Sequence, residues 1–446
     1  MRNILTQGFG RRRGAAVLAA AAIGGAAGAA GFQVAAAARA ADRAEERLPG
    51  GRVGGHLVVD WSLAAYQAIR AENGYRDPLA ASRTLAMMHL AMHDAVNAAA
   101  PRHAIYLPAA DGSGADPGVA AAAAAHGVLL AFCPGQRAAL DLALSNTTVE
   151  AGSGAEVGHG LALGAQAARA ILAARADDGA GARARYAPLR HVGAYRYTPG
   201  FDFVLAPHWR YLRPFALRSP DQFRVAAPPS AESAAYARAF EEVKTLGGRV
   251  STTRTEEQTH IAHFWHEATD IGWNRVTRVV SRERGLDLWD AARLFALVNM
   301  ALADGYVAGW DSKLQHDSWR PVTAIRIAAE DFNPATTADP AWEPLLPTPP
   351  IQGHPSTHSA LGAAAAAVLA GLLGDATPFA LSSTTALPEN PVRRFPGFSA
   401  AAGENAESRI MAGLQFRFAV TDGLAMGERI GRFVLANHLR PLGQTV

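Results

Sequence analysis

The chain of 446 residues has one cysteine and almost no lysine. Cys133 stands alone, which excludes an intramolecular disulfide framework. Of 42 basic residues only Lys244 and Lys313 are lysines. Against so strong a preference for arginine, a surviving lysine marks a place where a compact ammonium suits better than a planar fork. β-Branched residues are sparse and no strand pattern of any length appears, which argues against a sheet architecture. Charged residues make up 18% of the chain, low for an array of solvated helices. No internal repeat is present. The formal charge of +3 is misleading, because residues 1–40 hold five arginines and no acid, which leaves 37 basic against 39 acidic residues beyond them, a balance of −2. That excludes a nucleic-acid footprint. What is abundant is alanine. A chain this long and this rich in alanine reads as a large, mostly buried helical protein, in one large domain or two moderate ones.

Residues 1–40 read as an export signal. Arg11-Arg12-Arg13 precede an Ala/Gly-rich, weakly apolar segment, and Ala38-Arg39-Ala40 offers a small-x-small cleavage site. The adjacent arginines are of the twin-arginine kind, with an ordinary secretory signal or an uncleaved tail as alternatives. Glycines interrupt the segment, so no membrane span is expected in the mature chain. The expected location is periplasmic or extracellular. Residues 41–57 read as a linker and 58–446 as the folded part, with an N-terminal bundle over 58–250 and a C-terminal bundle over 251–446.

Along the chain, the pattern predicts a long helix over Asp60–Ala100. Further helices are expected over 118–132, 136–144, 156–174, 230–246, 255–267, 286–318, 356–374, 400–418 and 423–439. Between them, Tyr186–Pro229 is a Pro/Gly/aromatic-rich excursion over the surface, too aromatic to be disordered. Residues 333–352 and 378–398 read as loops. His89 and His93 lie four apart on one apolar helix face and read as core histidines. His260, His263 and His266, with Asp270 nearby, are compatible with a metal, but a polar helix face explains them better.

Two stretches carry chemistry. Gly353-His354-Pro355-Ser356-Thr357-His358-Ser359 runs into the apolar segment Ala360–Leu373, so Ser356 is the expected N-cap of a helix. The free N–H groups of its first turn and the positive end of its dipole make an anion site, with His358 placed as acid or base. Earlier in the chain, Lys313 and Arg320 are seven residues apart, nearly two helical turns. Pro321 puts Arg320 at a helix break, and two cations near a helix end can converge on one anion.

Three stretches together resemble the vanadium haloperoxidase and type 2 phosphatidic acid phosphatase superfamily, in its bacterial haloperoxidase-like branch. Lys313-x6-Arg320-Pro321 matches its lysine–arginine–proline motif. Pro355-Ser356-Thr357-His358 matches Pro-Ser-Gly-His with threonine at the glycine. Ser408-Arg409-x3-Gly413 matches the start of Ser-Arg-x3-Gly-x-His. Flanking text from Arg254 to Thr259, Phe264-Trp265 and Trp319 to Arg326 is similar to that branch as well. The resemblance implies an all-α fold of two packed helical bundles and a cradle for vanadate or phosphate. It implies Lys313, Arg320 and Arg409 as the cations, Ser356 and the Thr357 backbone N–H as hydrogen-bond donors, and His358 as the acid–base residue. Trp310 would line the halide pocket and His354 would stand beside it. One position departs from the motif. The family histidine that binds vanadium, or takes the phosphoryl group, is here Gln415, a weak ligand and a poor nucleophile.

The function expected from this resemblance is peroxide-driven halide oxidation at a vanadate site weakened by Gln415. Halide, peroxide and a small-molecule substrate would be the partners. The alternatives are a non-redox oxyanion-binding or acid–base enzyme, an acid phosphatase, and an exported helical protein without catalysis.

Overall fold

A computed structural model describes residues 54–108, 111–387 and 392–443. The export signal expected over 1–40 lies outside the described residues. Among them thirteen α-helices carry the fold. They are α1 (Gly55–Asn73), α2 (Pro78–Ala99), α3 (Pro117–Phe132), α4 (Arg137–Ala151), α5 (Ala155–Ala174), α6 (Ala234–Leu246) and α7 (Glu256–Phe264). The chain continues with α8 (Thr269–Glu283), α9 (Leu288–His316), α10 (Pro321–Arg326), α11 (Thr357–Leu373), α12 (Phe398–Met411) and α13 (Arg417–Asn437).

Local chemistry sets most of these boundaries. The single long helix expected over Asp60–Ala100 is two, because Gly74 closes α1 in the left-handed region at φ 69° and Asp77 opens α2 ahead of Pro78. Asp116, Ser233, Asp287 and Ser356 accept backbone N–H bonds as N-caps of α3, α6, α9 and α11. Thr255 and Gln258 form a reciprocal capping box on α7. The expected helix over 400–418 stops at Met411, since Gly413 takes a left-handed φ of 79° and turns the chain before α13 begins at Arg417. One reading needs correction. The expected loop over 378–398 holds a short antiparallel pair, β1 (Phe379–Leu381) with β2 (Arg393–Phe395). At three residues each, the strands are too short to show an alternating pattern in the sequence.

The helix α9 is the axis of the molecule. It packs against α2 on one side, where α2, α3 and α5 pack on one another, and against α11 on the other, where α11, α12 and α13 do the same. It is also the one helix among the described residues long and apolar enough to cross a membrane, and it is buried almost throughout by its neighbours. His89 belongs to this core: it is buried on α2 and stacked on Phe295 of α9 at 5.0 Å.

The aromatic stretch between α5 and α6 is not confined to the surface. Tyr195, Trp209, Leu212 and Phe215 are buried, while Tyr197 and Tyr211 stay exposed. Asp304 of α9 pins the strap by accepting the backbone N–H groups of Phe215, Ala216 and Leu217 at 2.6, 2.7 and 2.8 Å. Trp310, two turns further along α9, donates its indole N–H to Leu205 O at 3.0 Å.

Along α13, glycines recur at every fourth position, and there the contact with α11 admits nothing larger. A Cβ on Gly423, Gly427 or Gly431 would meet the carbonyl oxygens of Ser356, Ala360 and Ala364 at 2.4, 2.0 and 2.4 Å. The two backbones therefore run in direct contact, and α13 fixes the position of the N-terminus of α11.

Candidate oxyanion site

At the end of α9 the chain turns through Asp317, which has φ 47°. Its carboxylate holds the turn by accepting from Tyr186 Oη at 2.7 Å and from Gln352 Nε2 at 3.0 Å. The segments 317–320 and 351–354 then run side by side, with Gly353 N donating to Ser318 O at 2.7 Å. Only glycine fits there, because a Cβ on Gly353 would lie 2.3 Å from Trp319 O. The consequence is functional geometry. Lys313 Nζ donates to Gln352 O at 2.7 Å and Arg320 Nε donates to the adjacent Ile351 O at 2.7 Å. The two cations expected to converge are brought to neighbouring carbonyls.

Arg409 completes the group from the last turn of α12, with Nη1 on Trp265 O at 3.1 Å. Arg320 is also held by Leu414 O at 2.9 Å. Lys313, Arg320 and Arg409 are 1%, 2% and 4% exposed, and among the described residues no carboxylate pairs with any of them. Burial lowers the Lys313 ammonium well below its ordinary value, with Arg320 adding repulsion. Burial and the same neighbour bring Arg409 down to about 9, and burial brings Arg320 to about 10. An uncompensated buried charge costs on the order of 3–5 kcal/mol, so the three together are destabilising until a counter-charge joins them.

The N-terminus of α11 faces the same group. Ser356 is its N-cap: Oγ accepts from Ser359 N at 3.3 Å and from Ser359 Oγ at 2.8 Å. Its backbone N–H is fixed by Ala419 O of α13 at 2.8 Å. Thr357 stands where the motif has glycine. Its side chain is accommodated against Gly309 of α9, and its buried Oγ1 has no hydrogen-bond partner. His358, half-buried, makes a 3.3 Å contact from Nε2 to Glu267 O. If Nε2 carries the hydrogen toward that carbonyl, Nδ1 is the free base. Burial, then Arg409, His266 and Arg320, hold its pKa well below the usual histidine range. The carboxylate of Glu267, whose backbone His358 contacts, is committed to Arg275 at 2.7 Å and to Thr384 Oγ1 at 2.7 Å.

Gln415 is part of this wall. With its amide oriented to satisfy both ends, the oxygen accepts from Arg320 Nη1 at 2.6 Å and the nitrogen donates to Gly353 O. Its side chain supports the cradle and supplies no covalent anchor. His354 contacts Ala226 O through Nε2 at 3.0 Å, and its ring sits between His316 and Phe418. Trp310 spends its N–H on the strap, as described above. The other histidine groups do not assemble: His260 lies near Glu256 and Glu257, whereas Asp270 accepts from Tyr75 and Tyr306. Among the described residues no cluster of three or more His, Cys, Asp or Glu could hold a metal ion.

Sequence reasoning missed two contributors. The backbone carbonyls of 351, 352, 265 and 267 position the site, and carbonyls leave no mark on a sequence. His266 is drawn in by the end of α7, and its only signal was membership of a histidine row.

Comparison with known proteins agrees with this architecture. Residues 293–443 match the family model of the VCPO second helical-bundle domain. The chain is 27% identical over 397 residues to the vanadium chloroperoxidase of Curvularia inaequalis, covering 69% of this chain and 64% of that protein's length. Among solved structures, a bacterial vanadium-dependent iodoperoxidase superposes with a TM-score of 0.76 at 22% identity, over 90% of this chain and all of that one. A holo-type bacterial vanadium-dependent chloroperoxidase gives 0.64 at 17% identity, over 81% and 91%. Motif order, fold and family match converge: residues 293–443 match the second helical-bundle domain of this family, and the chain is similar to vanadium haloperoxidases in sequence and in fold.

Proposed function

We propose that the chain is a haloperoxidase-like enzyme that holds vanadate non-covalently and uses peroxide to oxidise halide, with retention of the anion weakened by Gln415. The observation that carries this reading is the trio Lys313, Arg320 and Arg409, buried without a carboxylate around the N-terminus of one helix. The donor set fits a tetrahedral oxyanion: three cations, the Ser356 hydroxyl, the unpartnered Thr357 Oγ1 and the first N–H groups of α11. Vanadate held by these residues would supply a Lewis-acidic centre able to activate peroxide toward halide.

The chain's own residues then have defined tasks. Lys313, Arg320 and Arg409 neutralise the charge of the anion and are already oriented by the carbonyls of 352, 351 and 265. His358 accepts a proton at Nδ1. In the free protein burial, reinforced by Arg409, His266 and Arg320, keeps it neutral, and an anion beside the two arginines offsets their charges and raises its basicity. Gln415 holds Arg320 in place.

A second reading rests on Gln415. Because its amide is turned into the protein wall, an oxyanion bound without an anchor suits phosphate as well as vanadate, and with it a non-redox acid–base role for His358. Vanadate loading followed by a peroxide-plus-iodide halogenation assay separates the two. Halogenation by the wild type that disappears in Arg409→Ala supports the first. Tight phosphate binding with no halogenation supports the second. Gln415→His is expected to raise vanadate retention at least tenfold.

A further inference from the structure

The segment Trp265–Glu267 closes the oxyanion site from the side opposite its own helix. Trp265 O accepts from Arg409 and Glu267 O contacts His358, so the residue between them is held beside both. That residue is His266. Its backbone N–H is spent on His263 O at 3.1 Å, in the turn that ends α7. Its Nδ1 is enclosed, with no hydrogen-bond partner among the described residues.

The structure assigns His266 as a second imidazole of this site, which we infer donates from Nδ1 to an oxyanion held by Lys313, Arg320 and Arg409. The inference rests on the oxyanion reading above. It goes beyond the three motifs, which place no residue at 266. A buried imidazole nitrogen without a partner calls for one, and a neutral imidazole donates to an oxyanion without adding a further charge to the cluster. The electrostatic neighbourhood agrees: after burial, Arg409 is the strongest influence on His266, and His358 in turn feels both Arg409 and His266. Other histidines fit less well. His354 also has an unpartnered Nδ1, but its charged neighbours are Asp422 at 3.6 Å, His316 and Lys313, with neither Arg320 nor Arg409 among them. Gln415 is occupied by Arg320 and Gly353.

The test is calorimetric titration of the full chain with inorganic phosphate, wild type against His266→Phe, which keeps a ring and removes its nitrogens. The expected result is at least a tenfold weaker Kd in His266→Phe. Equal affinity in the two, with Arg409→Ala losing binding, overturns the role of His266 and leaves the oxyanion site standing. No binding of phosphate or vanadate by the wild type overturns both. Should His266→Phe fold poorly, 15N NMR of the wild-type imidazoles decides: phosphate is expected to shift two ring systems, and a shift at His358 alone contradicts the assignment.

Discussion

At the scale of single residues, the buried cations have two opposite consequences. Each adds binding energy when an anion is present and costs stability when none is. Arg409→Met removes one charge while keeping much of the apolar stem. In phosphate-free buffer the variant is expected to be more stable than the wild type by about 1–3 kcal/mol, read from the urea midpoint. In saturating phosphate that order is expected to reverse. A variant less stable under both conditions would mean that Arg409 is held for its backbone bond alone.

Histidine burial sets a second residue-level expectation. His89 is wholly buried, neither ring nitrogen has a partner, and burial lowers its pKa to about 3. The sign follows from proton uptake: below the ordinary value of 6.5 the unfolded chain binds a proton that the folded chain refuses. Stability is therefore fully present above pH 6.5 and is lost as pH falls toward 3, by up to ~1.4 kcal/mol per pH unit for this group. His89→Leu is expected to flatten that acid limb, measured as urea stability at pH 7 and pH 5. An unchanged slope would place the acid sensitivity in other groups.

Among elements, the contact of α11 with α13 matters most, since it sets where the N-terminus proposed to bind the anion lies. Gly427→Ala gains up to about 1 kcal/mol of helix propensity. It must also drive a methyl into Ala360 O, which costs about 1–3 kcal/mol or more by overpacking. The net expectation is destabilisation by ~1–2 kcal/mol together with weaker phosphate binding, because α11 is displaced along its length. Unfolding and titration on one preparation check both. Ser356→Ala is a contrast at the same helix: it is expected to cost about 1 kcal/mol from the lost cap without moving α11.

This scale also shows what could be read in advance. The Ser356 cap, the break at Pro321 and the turn from Lys313 to Arg320 follow from local chemistry, and all three were legible. The division of α1 from α2 rests on Gly74 and Pro78, both visible, but the apolar periodicity ran on through them and masked the break. The β1–β2 pair was hidden by its length. His266 was hidden for another reason. Its neighbours on the sequence are two further histidines that go elsewhere, and only the tertiary packing of α7 on α12 separates it from them.

For the whole molecule, α9 links the parts: it anchors the aromatic strap through Asp304 and Trp310 and ends at Lys313. Binding at the site is thereby coupled to global stability. An oxyanion that binds only the folded state is expected to stabilise it by about 2.7 kcal/mol at one hundred times its Kd. A thermal melt with and without phosphate reads this directly, and an unchanged transition would count against coupling.

The proposed oxyanion site is tested most directly by calorimetric titration of the full chain with orthovanadate, for the wild type, Lys313→Met and Arg409→Met. One anion bound per chain is expected, with affinity reduced at least tenfold in either variant. Absence of binding at millimolar vanadate, or equal affinity in all three proteins, would contradict it.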